Sequence, residues 1–342
     1  MSMSVETQDR RKERLDRGIK VRTDGVYAIS SWMEITYLIL PRLALIVGLL
    51  VLPLVLTRFP YWQRVVSIIG IYALLAIGFD FLANFVGLVS LGGGLYIGVG
   101  AYIAALLNSH FGLPTYVTVP VATVLGGALC AGILLPCLPL RGVYFAIVSL
   151  MFPLLAGRVI EALNIFGGTD GIIGLDGFSS GWIEQYLLIA CVIVALFVLR
   201  RMVTEDVGLV FRGVKDNEQA VKASAINITT YKALGVFIAA ALGCLGGAFL
   251  AHIYMWAGIS QFALDFSIIP IAATVVGGGG TLVGAVIGCV ILVPISEVLR
   301  DFGTLRIAVY ALILTGFIVF KSEGIMTYAT RKYEQTERWV DI

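Results

Sequence analysis

The sequence lacks the short motifs with which many enzymes bind nucleotides or metals. It has no GxxxxGK[ST] phosphate-binding loop, no HExxH motif and no CxxC motif. It has only two histidines, His110 and His252, so the most common general acid–base residue is nearly missing. These absences argue against an enzyme, and they exclude ATP hydrolysis through a phosphate-binding loop in this chain.

Charge is also scarce. Charged residues make up 13% of the 342 residues and hydrophobic residues 59%, whereas soluble domains have roughly 25% and 45–50%. The mean hydropathy is +0.95, and the 39 glycines suit membrane helices, in which Gly is frequent. The five cysteines all fall within apolar runs, which is typical of packing residues and not of disulfides or a metal site: Cys130, Cys137, Cys191, Cys244 and Cys289. The composition therefore predicts an all-α polytopic membrane protein without a metal.

The hydrophobic runs predict eight full transmembrane helices, each near the ~20 residues that a spanning helix needs. They lie at Leu38–Leu56, Val65–Ala83, Val86–Leu107, Tyr116–Leu138, Val143–Ile165, Ile183–Leu199, Leu234–Trp256 and Leu305–Phe320. A further apolar region, Phe266–Ser296, is broken by four consecutive glycines. If it crossed once, the basic C-terminal tail would lie outside, against the positive-inside rule. We therefore expect a glycine-broken or re-entrant pair there.

The same charge rule predicts the domain boundaries. The N-terminal arm, residues 1–37, carries seven Lys or Arg at positions 10, 11, 12, 14, 17, 20 and 22, so we expect it in the cytoplasm. The transmembrane domain then covers 38–320, and a cytoplasmic tail covers 321–342. The expected location is a cell membrane, inner or plasma, crossed many times, with both termini cytoplasmic.

Two glycine-rich segments, Val89–Gly98 and Val275–Gly284, share the pattern GGGxxxG and indicate an internal repeat. Consecutive glycines weaken a helix by about 1 kcal/mol each, and broken backbone within a membrane needs cover from protein or a watery cavity. Matching breaks in two halves favour a transport pathway, and close packing of small residues is the alternative. The candidate pathway residues are Gly92, Gly93, Gly94, Gly277, Gly278, Gly279 and Gly280.

The segment at 200–233 is polar and carries six Lys or Arg, so it cannot cross hydrocarbon and belongs in the cytoplasm. Its middle has helical spacing, with Val210, Val214, Asn217 and Val221 on one stripe. A long cytoplasmic loop with its own helix is usually functional or disordered. We interpret it as a docking segment for a cytoplasmic partner.

Ionisable residues within the predicted spans are candidates for function. Asp80 lies near the inner end of its span, and we expect it to be solvated there. Arg158 and Glu161 are three residues apart on one helix and are expected to pair with each other. His252 is expected to be a hydrogen-bonded structural residue and not a ligand.

Four motifs together resemble the M-type permease subunit of branched-chain amino acid (Liv-type) ABC importers, from about Leu74 to Gly324. They are GLVSLGGGLYIGVGAYIAALL at 87–107, GGTDGI at 167–172, GVKDNEQAVKASAINITTYK at 213–232, and VVGGGGTLVGAVIG at 275–288 followed by Glu297–Arg300. The chain departs from the family pattern at Gly93, where a polar residue is usual, at Ala225, where Gly is usual, and at Glu323, where Pro is usual.

The resemblance implies a permease subunit that transports branched-chain amino acids or related small polar solutes and has no catalytic residues. Its implied partners are cytoplasmic ATP-binding subunits, a second and homologous permease subunit, an extracytoplasmic substrate-binding protein and membrane lipid, with no nucleic acid. It needs no cofactor of its own, because the partner subunits bind ATP. The residues implied in ATPase coupling are Lys215, Asp216, Asn217, Glu218, Ala220 and Ala225.

The residues alone leave alternatives open. An ion-coupled secondary transporter would also have inverted repeats and glycine breaks, and Asp80 would be its coupling carboxylate. The sequence does not determine the transported solute: urea, short amides and aromatic acids are alternatives to branched-chain amino acids. It also does not determine whether the second permease subunit is a copy of this chain.

Overall fold

A computed structural model describes residues 53–55, 58–140, 142–299, 312, 315–316 and 324–327, and ten helices account for most of them. Their bounds are α1 Pro60–Phe81, α2 Gly93–Phe111, α3 Thr115–Leu134, α4 Val143–Leu163, α5 Gly181–Thr204, α6 Asp206–Asp216, α7 Glu218–Ala223, α8 Ile228–Tyr254, α9 Asp265–Gly277 and α10 Val283–Val298. Helices suit a membrane because they satisfy their backbone hydrogen bonds internally.

Three short elements extend or join these helices. One π-helical turn, Leu82–Val86, continues α1, and 3-10 turns lie at Leu135–Cys137 and Ile259–Phe262. The only sheet in the described part of the chain is an antiparallel pair of two-residue strands, β1 Ile172–Ile173 and β2 Trp256–Ala257.

Six of the described segments are long and apolar enough to cross a membrane. They are Pro60–Val86, Thr115–Cys137, Val143–Leu163, Gly181–Thr204, Ile228–Tyr254 and Ile259–Gly277. Five of them match predicted spans. The predicted first and last spans, the arm at 1–37 and the tail at 321–342 lie outside the described residues, except for residues 53–55, 312, 315–316 and 324–327. A count of eight is therefore not confirmed.

The predicted span Val86–Leu107 was wrong at its start. Gly87 has a left-handed backbone (φ +83°) and ends the π turn, as Gly commonly does at a helix C-terminus. The chain then runs without helix to Gly92, and α2 begins at Gly93. This non-helical stretch lies beside the interior of α1 and α8, which are the most buried of the spans.

The expected glycine-broken pair at 266–296 is confirmed as two short helices. They form an antiparallel hairpin, in which Gly277 packs on Gly284 and Gly288 packs on the Ala273 carbonyl. A side chain at Gly288 would collide with that carbonyl, so the small residues allow the two backbones to approach. Glycines 278–280 lie in the turn between the helices, and the first glycine segment instead opens α2, so the two segments differ in local structure.

The polar segment is shorter and folds differently than predicted. α5 continues to Thr204 and α8 begins at Ile228, which reduces the loop at 200–233 to 205–227. The single helical stripe was also wrong, because Asn217 is extended and begins a second helix: its side chain accepts hydrogen bonds from the N–H groups of Gln219 and Ala220. Phe211, fully buried against Phe81 at 5.5 Å between ring centroids, is the residue that anchors α6.

The opposite end of the bundle is closed by the loop at 164–180. His252 Nδ1 lies 2.7 Å from the Asp176 carbonyl oxygen, and its Nε2 lies 2.7 Å from Thr118 Oγ1. The side chain of Asn108 also bonds both the N–H and the carboxylate of Asp176. The structural role expected for His252 is confirmed, as is the Arg158–Glu161 pair, whose N–O distance is 2.8 Å.

Candidate functional site

The surface made by α6 and α7 covers one end of the bundle and contains most of the predicted coupling residues. We call residues 215–220 the coupling surface. A cavity of about 320 Å³ lies beneath it, between these residues and the backbone at Val86–Leu88. The Lys215 ammonium donates a hydrogen bond of 2.8 Å to the Asn84 carbonyl oxygen, which ties this surface directly to the π turn that precedes the break at 87–92.

Glu218 of the coupling surface has an internal partner. Its carboxylate accepts a hydrogen bond of 2.5 Å from the Lys232 ammonium, whose side chain is 5% exposed, whereas the Glu218 side chain is 20% exposed. By contrast Asp216, Asn217 and Ala220 are exposed. The pair joins α7 to the first turns of α8, so a displacement of α7 would be transmitted to a membrane-spanning helix.

Ala225, another predicted coupling residue, has a left-handed backbone with φ +59°. Its N–H donates to the Lys222 carbonyl and closes the end of α7, in a position where the conformation favours Gly. A left-handed residue other than Gly costs about 1–2 kcal/mol. The sequence resemblance leads us to expect Gly at this position, and Gly would adopt this backbone conformation without strain.

We expect Ala225→Gly to stabilise the protein by about 0.5–1 kcal/mol, because the relief of backbone strain exceeds the added entropy of the unfolded chain. Thermal unfolding in detergent, followed by size-exclusion fluorescence, measures this change. Ala220→Gly is the matched control: Ala220 lies within α7, so the same substitution should destabilise the protein by about 0.5–1 kcal/mol. Shifts of the same sign in both variants would contradict the assignment.

A second site lies within the bundle, where α2 begins. The backbone at Gly93 and Gly94 packs directly on the carbonyl groups of Phe266, Phe262 and Ala263. The start of α2, which follows the non-helical stretch 87–92, therefore meets the end of the 3-10 turn at Ile259–Phe262 and the start of α9. A cavity of about 20 Å³, which we call the central cavity, lies at this meeting point. Its polar lining residues are Ser90, Tyr96 and Ser267.

A larger cavity of about 380 Å³, which we call the vestibule, opens toward the end of the bundle that carries Trp256. Its lining combines aromatic rings with acceptor groups: Tyr72, Tyr254, Trp256, Gln261, Asp265 and Glu297. Phe266 lines both the vestibule and the central cavity, and its ring stacks on Tyr72 with 5.5 Å between centroids. This stacked pair therefore separates the two cavities.

The predicted pathway glycines divide between two environments. Gly93 lines the central cavity, and Gly92 and Gly94 are its neighbours in the sequence. Glycines 277–280 line none of the three cavities described above. Gly277 ends α9, and glycines 278–280 form the hairpin turn, which is held by Asp80.

Asp80 is fully buried, so the expectation that it is solvated was wrong. Its Oδ1 accepts hydrogen bonds from the Gly280 N–H at 2.6 Å and from the Asn84 side chain at 2.7 Å, and its Oδ2 accepts one from the Leu282 N–H at 2.8 Å. The turn between α9 and α10 presents N–H groups that no helical carbonyl accepts. The carboxylate of Asp80 supplies the missing acceptors from α1.

Sequence reasoning missed the hydroxyl residues of the central cavity and the acceptor role of Asp80. Ser90 lies within the flagged segment at 89–98, but its chemistry becomes visible only when Ser267, 177 positions later in the chain, is placed beside α2. A distant pairing of this kind leaves no periodic signal in a single sequence.

The described residues offer no catalytic or metal centre. No group of three His, Cys, Asp or Glu side chains within them could hold a metal ion. The stretch Gly177–Gly181 has the GxSxG spacing of a nucleophile elbow, but that motif requires a strand-to-helix turn. Here Ser179 is exposed in a loop, and the His252 ring is already bonded to Thr118 and Asp176.

Comparison with known proteins gives the family. Residues 62–321 match the family model described as "Branched-chain amino acid transport system / permease component". The chain is 27% identical to the LivM high-affinity branched-chain amino acid transport system permease protein of Salmonella typhimurium, over 75% of this chain and 68% of that protein. It is 26% identical to LivM of Escherichia coli over the same shares.

A more distant relative comes from Methanocaldococcus jannaschii, whose probable branched-chain amino acid transport permease protein LivM is 24% identical over 60% of this chain and 58% of that protein. No solved structure matches the chain. The family match covers most of the described spans, both cavities inside the bundle and the coupling surface. The chain therefore belongs to the branched-chain amino acid transport system permease family, and it is a membrane permease subunit of an ABC importer and not an enzyme.

Proposed function

We propose that the chain forms half of a translocation pathway for branched-chain amino acids or closely related small solutes. The observation that carries this proposal is the meeting of the non-helical stretch 87–92 and the start of α2 with the start of α9, with the central cavity between them. Non-helical backbone at membrane depth is tolerated where it is buried by protein or lines a cavity, and interrupted helices are where transporters bind their solutes. The vestibule supplies an approach to this point from one end.

The coupling surface is the proposed contact for the ATP-binding subunits. It is polar, it projects from the end of the bundle at which α5 and α8 meet water, and Lys215 connects it to the π turn at Asn84. Through this contact and the Glu218–Lys232 pair, a push on α6 and α7 would reach the π turn before the break at 87–92 and the start of α8. The partner subunits bind and hydrolyse ATP, and this chain needs no cofactor.

The end that carries α6 and α7 is proposed to face the cytoplasm. The segment at 200–232 carries six Lys or Arg, whereas the loop at 164–180 carries two Asp and no Lys or Arg. The positive-inside rule places the first in the cytoplasm and the second outside. The loop at 164–180 and the mouth of the vestibule would then receive solute from an extracytoplasmic substrate-binding protein.

Uptake of radiolabelled L-leucine tests the proposal. A strain without other leucine transporters should gain uptake when it expresses this chain with its co-purifying subunits, which are found by mild-detergent purification and mass spectrometry. Replacing the phosphate-loop Lys of the co-purifying ATPase should abolish uptake, whereas a protonophore should leave it unchanged at constant ATP. Uptake that survives loss of ATP hydrolysis and fails with the protonophore would refute the ABC mechanism in favour of an ion-coupled transporter.

A further inference from the structure

The central cavity is surrounded by hydroxyl groups that have more donors than the structure uses. Ser90, Tyr96 and Ser267 are 6%, 5% and 3% exposed, and all three line the cavity. Ser90 Oγ and the Tyr96 hydroxyl oxygen lie 3.0 Å apart, so one of their O–H groups donates to the other and the second is left over. Buried donors without acceptors are costly, so these groups indicate a missing partner.

Ser267 has the same deficit. Its Oγ accepts the Gly94 N–H at 3.1 Å, but its own O–H reaches no acceptor among the described residues. Ser90 Oγ likewise accepts the Gly92 N–H at 3.3 Å. Both serine oxygens therefore accept an N–H at the start of α2, while Ser267 and one member of the Ser90–Tyr96 pair keep an unused hydrogen. A hydroxyl supplies one donor, so the site has two unused donors in all.

The start of α2 adds a favourable field to these donors. Helix N-termini carry a partial positive charge of roughly half an elementary charge, and their first N–H groups lack helical acceptors. Gly92, the N-cap residue, has no side chain with which to satisfy them. Among the described residues that line the cavity none is charged, so the field of the helix is not cancelled locally. An anionic acceptor is the chemical group that suits two free hydroxyl donors and a helix N-terminus.

We infer that the central cavity binds the carboxylate of the transported solute through the hydroxyls of Ser90, Tyr96 and Ser267 at the start of α2. This inference rests on the proposed function as a solute pathway. The volume of about 20 Å³ admits a single water-sized group, so the structure shows the site closed. Phe266 separates it from the vestibule, and this residue must move when a whole amino acid enters.

The absence of a charged side chain gives the site a further property. A carboxylate held by hydroxyls and a helix dipole is released more readily than one paired with a buried Arg, because no desolvated cation is left behind. A translocation site has to bind its solute and release it in every cycle. Recognition of the carboxylate by hydroxyl groups therefore suits a transport site better than a high-affinity binding site.

The test is the kinetics of L-leucine uptake by the full transporter with Tyr96→Phe, Ser267→Ala and Ser267→Thr, normalised to the amount of chain in the membrane. Hydrogen bonds to charged groups are strong, so Tyr96→Phe and Ser267→Ala should each lower Vmax/KM about 10-fold to 100-fold. Ser267→Thr keeps the hydroxyl and should recover most of the uptake. Tyr96→Phe and Ser267→Thr should unfold in detergent near the wild-type temperature, whereas Ser267→Ala also leaves the Gly94 N–H without its acceptor and should unfold at a lower temperature.

Tyr102→Phe is the matched control. Tyr102 lies on the same helix, is also 5% exposed, has a hydroxyl without a partner among the described residues, and does not line the central cavity. Leucine uptake by the Tyr102→Phe variant should equal that of the wild type. Equal losses in Tyr96→Phe and Tyr102→Phe, or unchanged kinetics in Tyr96→Phe and Ser267→Ala, would overturn the inference and leave a site that holds water only.

A comparison of solutes separates this inference from the proposed function. If the wild-type transporter takes up another solute in place of leucine, the same variants are assayed with that solute. Transport of urea or a short amide, which have no carboxylate, would overturn the carboxylate site while the permease function stands. Failure of every solute in the presence of active partner subunits would instead reject the proposed function.

Discussion

Asp80→Ala should unfold the hairpin of α9 and α10 from the bundle and remove most folded protein from the membrane. The substitution removes the acceptor of the buried Leu282 N–H and of the Gly280 N–H, whose hydrogen bond is partly buried. A buried donor left unpaired costs about 1–3 kcal/mol, so the Leu282 N–H alone costs that much, and the smaller loss at Gly280 adds to it; this is a large part of a typical stability of roughly 5–15 kcal/mol. The yield of monodisperse protein in detergent and its unfolding temperature measure the loss.

Asp80→Asn should have a smaller effect of the same sign. An amide retains one acceptor oxygen, which can serve the Gly280 N–H, but its NH2 group then faces the Leu282 N–H as a second donor. Glu161→Ala is the control carboxylate, since its side chain is 41% exposed and pairs only with the exposed Arg158, and it should change the unfolding temperature little. Wild-type stability for Asp80→Ala would show that the turn is held by other contacts.

The same variants address the ion-coupled alternative. If Asp80 carried a coupling ion, Asp80→Asn would keep a folded, stable protein and lose uptake. The three donors that already surround the carboxylate, two N–H groups and the Asn84 amide, favour the structural role. Loss of stability and uptake together supports that role, and loss of uptake alone would favour ion coupling.

The membrane class, the positions of five spans and the two-helix break after residue 265 could be predicted from the sequence, because they depend on long apolar runs and on consecutive glycines. The position of the first break could not. The sequence marks Gly92–Gly94 as the weak point, but the helix is interrupted before them, where Gly87 adopts φ +83° and the chain continues non-helical to Gly92. Glycine weakens a helix, and tertiary packing decides on which side of it the helix ends.

The role of an individual polar residue was harder to predict. Asp80 was expected to be solvated from its position near the end of a span, and its burial depends on Gly280, 200 residues away. Asn217 was assigned to a helical stripe by its spacing, but its side chain caps α7 instead. In both cases a hydrogen bond, and not the local sequence pattern, determines the position of the side chain. The hydrogen-bond partner could be identified only from the three-dimensional structure.

Glu218→Ala should destabilise the protein by less than the ~3–5 kcal/mol that follows removal of one partner of a fully buried ion pair, because the Glu218 side chain is 20% exposed. The Lys232 side chain is 5% exposed and its ammonium bonds the Glu218 carboxylate, so the substitution leaves a buried cation without its counter-charge. Detergent unfolding temperature and membrane yield should both fall. This loss of stability should occur even when no ATPase subunit is present, so it can be distinguished from a loss of ATPase docking.

A double substitution identifies the cause. In Glu218→Ala/Lys232→Met the cation is removed and the thioether fills much of the same apolar space, so the stability lost in Glu218→Ala should be largely restored. Lys222→Met, at an exposed lysine of α7, should not rescue Glu218→Ala. If the double variant transports leucine and binds its ATPase normally, Glu218 acts by holding α7 on α8, and docking depends on the exposed residues 216, 217, 219 and 220. If it is stable but no longer binds the ATPase, the Glu218 carboxylate itself contacts the partner, as the sequence resemblance implied.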